Sequence, residues 1–397
     1  MGRIKELDGL RVIAIFAVFM VHFRPVPHHI FDFTSLGWAG VDLFFAISGF
    51  LITSILIRLR GEERPFSTFY WRRTLRIFPP YYAALGVILL LAVADGEFLR
   101  RRYVVEAATF LSSLDRLGNS LSLISGRLFS HARFGVSAAH VASHHFQQFG
   151  NGISVFWSLS VEELFYLLWA PIILLGSRRT VLLSCIVPLF VCPVLRGLMH
   201  TVSFPEMFSF TCRFDSLAAG GCAALLFAAV DRGRLSVRIL ERGLILAIPI
   251  SALAFLILSW KCGIFQGIEV RTTTTFSIFG YTLLAILFAA LTGACAHWRG
   301  NVWILMLRWK PIAYLGTISY SMYLIHIPVY VAVGMVLRGR DRTYLTQILQ
   351  GVSAVLVTIG IASLSWKYFE SPLLQFRDRP FLARISPVIA TQLSVEG

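Results

Sequence analysis

Apolar residues fall along this chain in blocks about 20 long, separated by short stretches that hold most of the charge. A helix rises about 1.5 Å per residue, so about 20 apolar residues cross a hydrocarbon core. Ten blocks are predicted as spanning helices: 7–26, 38–58, 78–95, 154–175, 181–199, 208–230, 243–260, 274–296, 312–336 and 346–366. The fold class expected is an all-α integral membrane protein of about ten transmembrane helices. An even number puts both termini on one side. With the termini cytoplasmic, the inner segments carry most of the Lys and Arg outside the spans, as the positive-inside rule requires. Six of the outer ones lie in 96–152, which approaches the length at which charge stops setting orientation.

The pattern divides the chain into a membrane domain, 1–370, and a cytoplasmic tail, 371–397. The outer segment 96–152 belongs to the membrane domain. Its early part, YVVEAATFLSSL, reads as an interfacial or re-entrant helix. No internal repeat and no low-complexity tract stands out.

The first block departs from an ordinary anchor. Only Val12 to Val21 are apolar without interruption, which is too short to span. A spanning helix must therefore take Arg11 and His22 into the slab. Eleven residues separate them, so they lie roughly 16 Å apart along the axis and only about 20° apart around it. One helix face shows a cation deep and an imidazole shallow. Groups of this kind usually face a protein interior or a watery cavity, and His is the side chain best suited to moving a proton near neutral pH.

Composition agrees with the pattern. Hydrophobic residues make up 56% of the chain and charged ones 14%, where a soluble domain carries about 25% charged. The net charge of +15 lies between apolar blocks, so it faces anionic lipid headgroups; no nucleic-acid partner is expected. The six cysteines show no CxxC pair and read as small buried apolar residues. Arg11 interrupts the first apolar run and no small-x-small site follows, so no cleaved signal is expected.

Other chemistry is concentrated in a few places. Arg72, Arg73 and Arg76 would gather on one side of a helix. They serve either as inner-face lipid contacts or as a phosphate clamp, since Arg binds phosphate in bidentate fashion. Pro79 and Pro80 are expected in the first turn of the third span. In FWSLSVEELFYLLWAP, Ser160 and Glu163 have the spacing of a capping box. That leaves Glu162 unexplained, as a group able to orient an imidazole or act as acid or base. Asp42, in GWAGVDLFFAISGFLI, is a second possible partner for His22, and the glycines there allow close helix approach. His326, just before Pro328, is a third. Arg213 and Asp215 read as a structural ion pair or as cavity lining. The loop histidines His131, His140, His144 and His145 lack an HExxH or a nearby acid, so no metal is expected.

These residues carry a resemblance. DGLRVIAIFAVFMVHF, GWAGVDLFFAISGFLIT, FYWRRTLRIFPPYY, FWSLSVEELFYLLWAP, RFDSLAAG, GTISYSMYLIHIP and WKYFESP stand in the order of the membrane-bound O-acyltransferases of acyltransferase family 3 and cover essentially the whole chain. The chain departs from that pattern at Leu164, where a glutamine often follows the paired glutamates. The resemblance implies a ten-helix domain that takes an acyl group, commonly acetyl, from cytosolic acyl-CoA. The acceptor is then a hydroxyl of a surface glycan or of an extracytoplasmic small molecule. The enzyme would sit as a multi-pass protein in the inner (plasma) membrane among its lipids. Arg11, His22, Arg73 and Arg76 are functional positions by the same resemblance. Some members append an extracytoplasmic hydrolase-like domain that finishes the transfer; here the membrane domain or a separate partner would do so.

Joined, these readings give acyl-CoA held by Arg72, Arg73 and Arg76, its thioester led inward past Arg11, and His22 acting as general base or acyl carrier. Glu162, Glu163, Asp42 and His326 are candidates for the catalytic group around it. A transporter or flippase for a glycan or anionic solute would show the same spans and intramembrane charges. It would move its substrate without acyl-CoA, and no inverted repeat supports it. A non-catalytic scaffold would leave Arg11 and His22 without a reason.

Overall fold

The computed structural model describes residues 4–23, 33–94, 101–110, 151–200, 210–266, 273–337 and 343–378. Among these, helices account for nearly everything and no strand occurs. Ten helices are long: α1 Lys5–Phe23, α2 Ala39–Leu59, α3 Pro65–Ala94, α4 Trp157–Leu175, α5 Arg178–His200, α6 Phe210–Asp231, α7 Val237–Lys261, α8 Thr274–His297, α9 Lys310–Val336 and α10 Tyr344–Ser365. Nine of these, α2 to α10, lie in stretches long and apolar enough to cross a membrane, among the described residues. Helix α1 falls outside that set because Lys5, Glu6, Asp8 and Arg11 crowd its first two turns. It packs against α2 and α9.

Polarity is inverted relative to a soluble protein. Helices α5, α7 and α10 are the least buried of the spans and turn residues such as Leu198, Ile250 and Leu356 outward. Asp42, Asp215 and His326 are fully buried. Lipid solvates the apolar rim, so the interior is where charge finds partners. The tightest crossing is α2 on α6. A Cβ on Gly49 would strike the Leu217 carbonyl, and one on Gly220 the Ala46 carbonyl. Both glycines let the backbones touch, as small residues do between membrane helices.

Two local expectations need correction. Helix α3 starts at Pro65, not near residue 78, so Pro79 and Pro80 lie inside it and the arginine cluster rides on the same helix. Two missing N–H donors loosen the ladder there, and the Ile77 carbonyl accepts from the Tyr320 hydroxyl at 3.1 Å. Ser160 is not an N-cap. Helix α4 begins at Trp157 with no side-chain cap, and the Ser160 hydroxyl donates to the Phe110 carbonyl. Phe110 ends the short helix Arg101–Ala108 with φ of 56°, left-handed backbone that is uncommon for a non-glycine. Ring stacking on Tyr81, with centroids 4.2 Å apart, holds it. The helix expected over the early part of 96–152 is thus present as Arg101–Ala108. Finally, α10 runs on through a π-helical turn, Trp366–Glu370, and the segment to Asp378 packs back on α3. There Trp71 Nε1 donates to the Phe376 carbonyl.

Candidate active site

The bundle encloses a cavity between α1, α2, α3, α4 and α9, with about 670 Å³ of empty space including its open mouth. Arg11, Arg73 and Arg76 line it, together with Ser48, Ser158, Glu162, Ser319 and Tyr320. Val41, Phe44, Phe45, Leu159 and Tyr323 supply an apolar wall. On α3, Arg73 lies about 60° to one side of Arg76 and Arg72 about 40° to the other, so the cavity meets the Arg76 and Arg73 side of the helix and not the Arg72 side. Arg72 is exposed and is absent from the lining; the three arginines that line the cavity are Arg11, Arg73 and Arg76.

These cations are incompletely answered. Arg11 pairs with Asp8 in its own helix at 3.0 Å. The Arg73 guanidinium lies 4.1 Å from the Tyr166 ring centroid, and its buried Nε has no hydrogen-bond partner. Arg76 is accessible inside the cavity, and no hydrogen bond or salt bridge joins it to a described residue. Three guanidinium groups facing one space suit an anionic ligand with several oxygens.

Opposite them, Glu162 accepts from Ser48 Oγ at 2.7 Å on Oε1 and from Tyr166 OH at 2.9 Å on Oε2. No salt bridge joins it to a described residue. Glu163 points elsewhere, and its buried Oε1 has no partner. Without a capping role for Ser160, that oxygen is not part of a capping box.

His22 and His326 form a pair, with His326 Nε2 3.2 Å from His22 Nδ1. His326 Nδ1 sits 2.7 Å from the Tyr323 carbonyl and His22 Nδ1 3.0 Å from the Val18 carbonyl. Carbonyls only accept, so both Nδ1 atoms carry hydrogen. The single Nδ1–H of His22 is then shared between the Val18 carbonyl and His326 Nε2, and the lone pair of His22 resides on Nε2. His326 is fully buried among Phe19, Phe23 and Tyr323, while His22 is exposed. The basic nitrogen is therefore on the accessible ring.

Of the three competing partners for His22, the structure brings in His326. Glu162 is held by Ser48 and Tyr166. Asp42 accepts from Arg213 Nη1 at 2.9 and 3.0 Å and from Ser216 Oγ at 2.9 Å. The expected contact between Asp42 and His22 is absent because Arg213, on α6, claims the carboxylate. Nor do Arg213 and Asp215 pair with each other: Asp215 bonds Arg196 Nη1 at 2.9 Å and the Thr282 hydroxyl at 2.7 Å. Arg213 stacks 4.0 Å from the Tyr281 centroid. Arg196, Tyr166 and Tyr323 were passed over in the sequence. An arginine inside the apolar run of α5 and a tyrosine four residues after Glu162 were the available signals. No metal-binding group occurs among the described residues, and the loop histidines lie outside them.

The described residues thus form a helical bundle with a cationic cavity and an imidazole pair beyond it. The family model described as "Acyltransferase domain" (acyltransferase family 3) matches residues 4–367, and the chain belongs to that family. YrhL of Bacillus subtilis is 27% identical, over 96% of this chain and 56% of its own length. The peptidoglycan O-acetyltransferase OatA of Listeria monocytogenes is 25% identical, over 99% of this chain and 61% of its own length. The O-acetyltransferase OatA of Staphylococcus aureus is 25% identical over 92% of this chain. The chain thus spans between about half and two-thirds of the length of these relatives. No solved structure gives a significant match.

Proposed function

We propose that this protein is a multi-pass plasma-membrane O-acyltransferase that moves an acetyl group from acetyl-CoA to a hydroxyl of a cell-wall glycan of the peptidoglycan type. The observation that carries the reading is the cavity shared by Arg11, Arg73 and Arg76. On the topology expected from charge, with both termini cytoplasmic, Arg11 lies in the half of α1 nearer the side where acyl-CoA is found, and three guanidinium groups suit its phosphates. The relatives named as peptidoglycan O-acetyltransferases support the acceptor class. The imidazole pair lies one helical turn beyond the cavity wall, since His326 follows Tyr323 by three residues, about 4.5 Å along the axis. His22 Nε2 takes the proton of the acceptor hydroxyl as its oxygen attacks the acyl carbonyl, and coenzyme A is the other product of the overall transfer. His326 holds the His22 tautomer, as a carboxylate does in other bases. Glu162 and Glu163 belong to the donor side. Asp42 serves the fold.

The test is to incubate membranes containing the protein with acetyl-labelled acetyl-CoA and peptidoglycan fragments, then to identify the product by mass. Label should enter an O-acetyl ester in the glycan. Glycan transport without consumption of acetyl-CoA would sink the reading.

A further inference from the structure

The cavity holds a pairing the transfer scheme has not used. Ser48 Oγ donates to Glu162 Oε1 at 2.7 Å, both residues line the cavity, and the serine is partly accessible. Tyr166 fixes the second carboxylate oxygen at 2.9 Å, and the Arg73 guanidinium lies 4.1 Å from that tyrosine's ring centroid. A hydroxyl, a base and a group that orients the base are the parts of an activated nucleophile. His22, by contrast, does not line this space. Phe44 and Tyr323, whose ring centroids lie 6.3 Å apart, stand on the lining, and Tyr323 is also the residue that packs on His326. A thioester brought in at the arginines therefore meets Ser48 before it meets the imidazole pair.

We propose that Ser48 is a covalent acyl carrier, activated by Glu162, between the donor and the acceptor. The inference rests on the acyl-CoA reading above. In the first step Glu162 takes the Ser48 proton, the Ser48 Oγ–acyl bond forms, the acyl–sulfur bond breaks, and the proton passes from Glu162 to the thiolate. Coenzyme A leaves as the thiol and Glu162 is again a carboxylate. In the second step the acceptor oxygen, its proton taken by His22, attacks the ester carbonyl. The Ser48 Oγ–acyl bond breaks, and the proton returns from His22 to the serine oxygen. No oxidant and no further reactant is needed.

The experiment uses the full chain in detergent with labelled acetyl-CoA, first without acceptor and then with peptidoglycan fragments. Intact-protein and peptide mass spectra should show one acetyl group on Ser48, discharged when acceptor is added. Ser48→Ala should lose both adduct and turnover. Ser48→Cys should carry the label as a thioester that neutral hydroxylamine releases. Glu162→Gln should slow adduct formation at least about 100-fold, the scale of a lost general base. The idea is overturned if Ser48→Ala turns over at the wild-type rate, or if neither wild type nor Ser48→Cys forms an adduct while wild type still transfers acetyl. The Cys variant decides the matter even where the Ala variant does not fold. If wild type consumes no acetyl-CoA with acceptor present, the donor reading itself has failed and Ser48 has no substrate.

Discussion

Two groups of arginines sit in this bundle, one buried and one lining the cavity, and they behave differently. Around Asp42 and Asp215 the charges are closed upon each other. All four carboxylate oxygens accept hydrogen bonds, from Arg213, Ser216, Arg196, Thr282 and the Ser216 amide. Around the cavity the charges stay open. No hydrogen bond or salt bridge joins Arg76 to a described residue, Arg73 leaves Nε unanswered, and Glu162, the carboxylate among the described lining residues, is bound by hydroxyls rather than by a cation. Burying an ion costs several kcal/mol unless the partner is well placed. The first group offsets that cost internally and fastens α2, α5, α6 and α8. The second leaves it for a ligand to offset. An intramembrane arginine is thus assigned by its bonds, not by its presence.

The largest expected effect lies just beyond the open group. Replacing His22 by Ala should reduce acetyl transfer roughly 10²- to 10⁴-fold, measured as label moving from acetyl-CoA to glycan, with unchanged behaviour on size exclusion. Transfer at the wild-type rate would remove His22 from the mechanism. Breaking the closed group comes next. Asp42→Ala leaves the Arg213 guanidinium buried without its carboxylate and should cost about 3–5 kcal/mol of stability. Thermal unfolding in detergent would show it, and the protein that remains folded should keep its KM for acetyl-CoA. A raised KM with no loss of stability would move Asp42 into the site.

Arg76→Ala should act in the opposite sense. It removes a charge-assisted contact worth about 1.5–3 kcal/mol, so KM for acetyl-CoA should rise roughly 10- to 150-fold while thermal stability holds. Loss of stability with an unchanged KM would place Arg76 with the closed group. Smallest is Arg72→Ala. This residue lies outside the cavity, so stability should shift by less than about 0.5 kcal/mol and KM should stay as it is. A rise in KM matching that of Arg76→Ala would show that all three arginines of the cluster reach the donor.

Much of this was legible in the chain. Apolar blocks located all ten long helices, because a helix that meets lipid must be apolar along its length. The start of α3 was missed because its first half is amphipathic and cationic, and because a proline pair looks like a helix start while neighbouring helices can accommodate it inside. Arg11, His22, Glu162 and His326 were legible as costly groups in apolar surroundings. Ser48 was visible only as part of a glycine-rich helix contact, since a serine carries no charge penalty to draw attention to it.

The sequence by itself determined the class of fold, the helices, and the short set of polar groups that a membrane would not tolerate without reason. Which of those groups meet was decided only in three dimensions. Asp42 goes to Arg213 across α2 and α6, His22 to His326 across α1 and α9, and Ser48 to Glu162 across α2 and α4. Each pair spans 114 residues or more of chain. Helical periodicity fixes the face on which a residue stands but not the neighbour that face will meet. That neighbour is set by how the whole bundle packs, where backbones close on Gly49 and Gly220 and where a cavity is left.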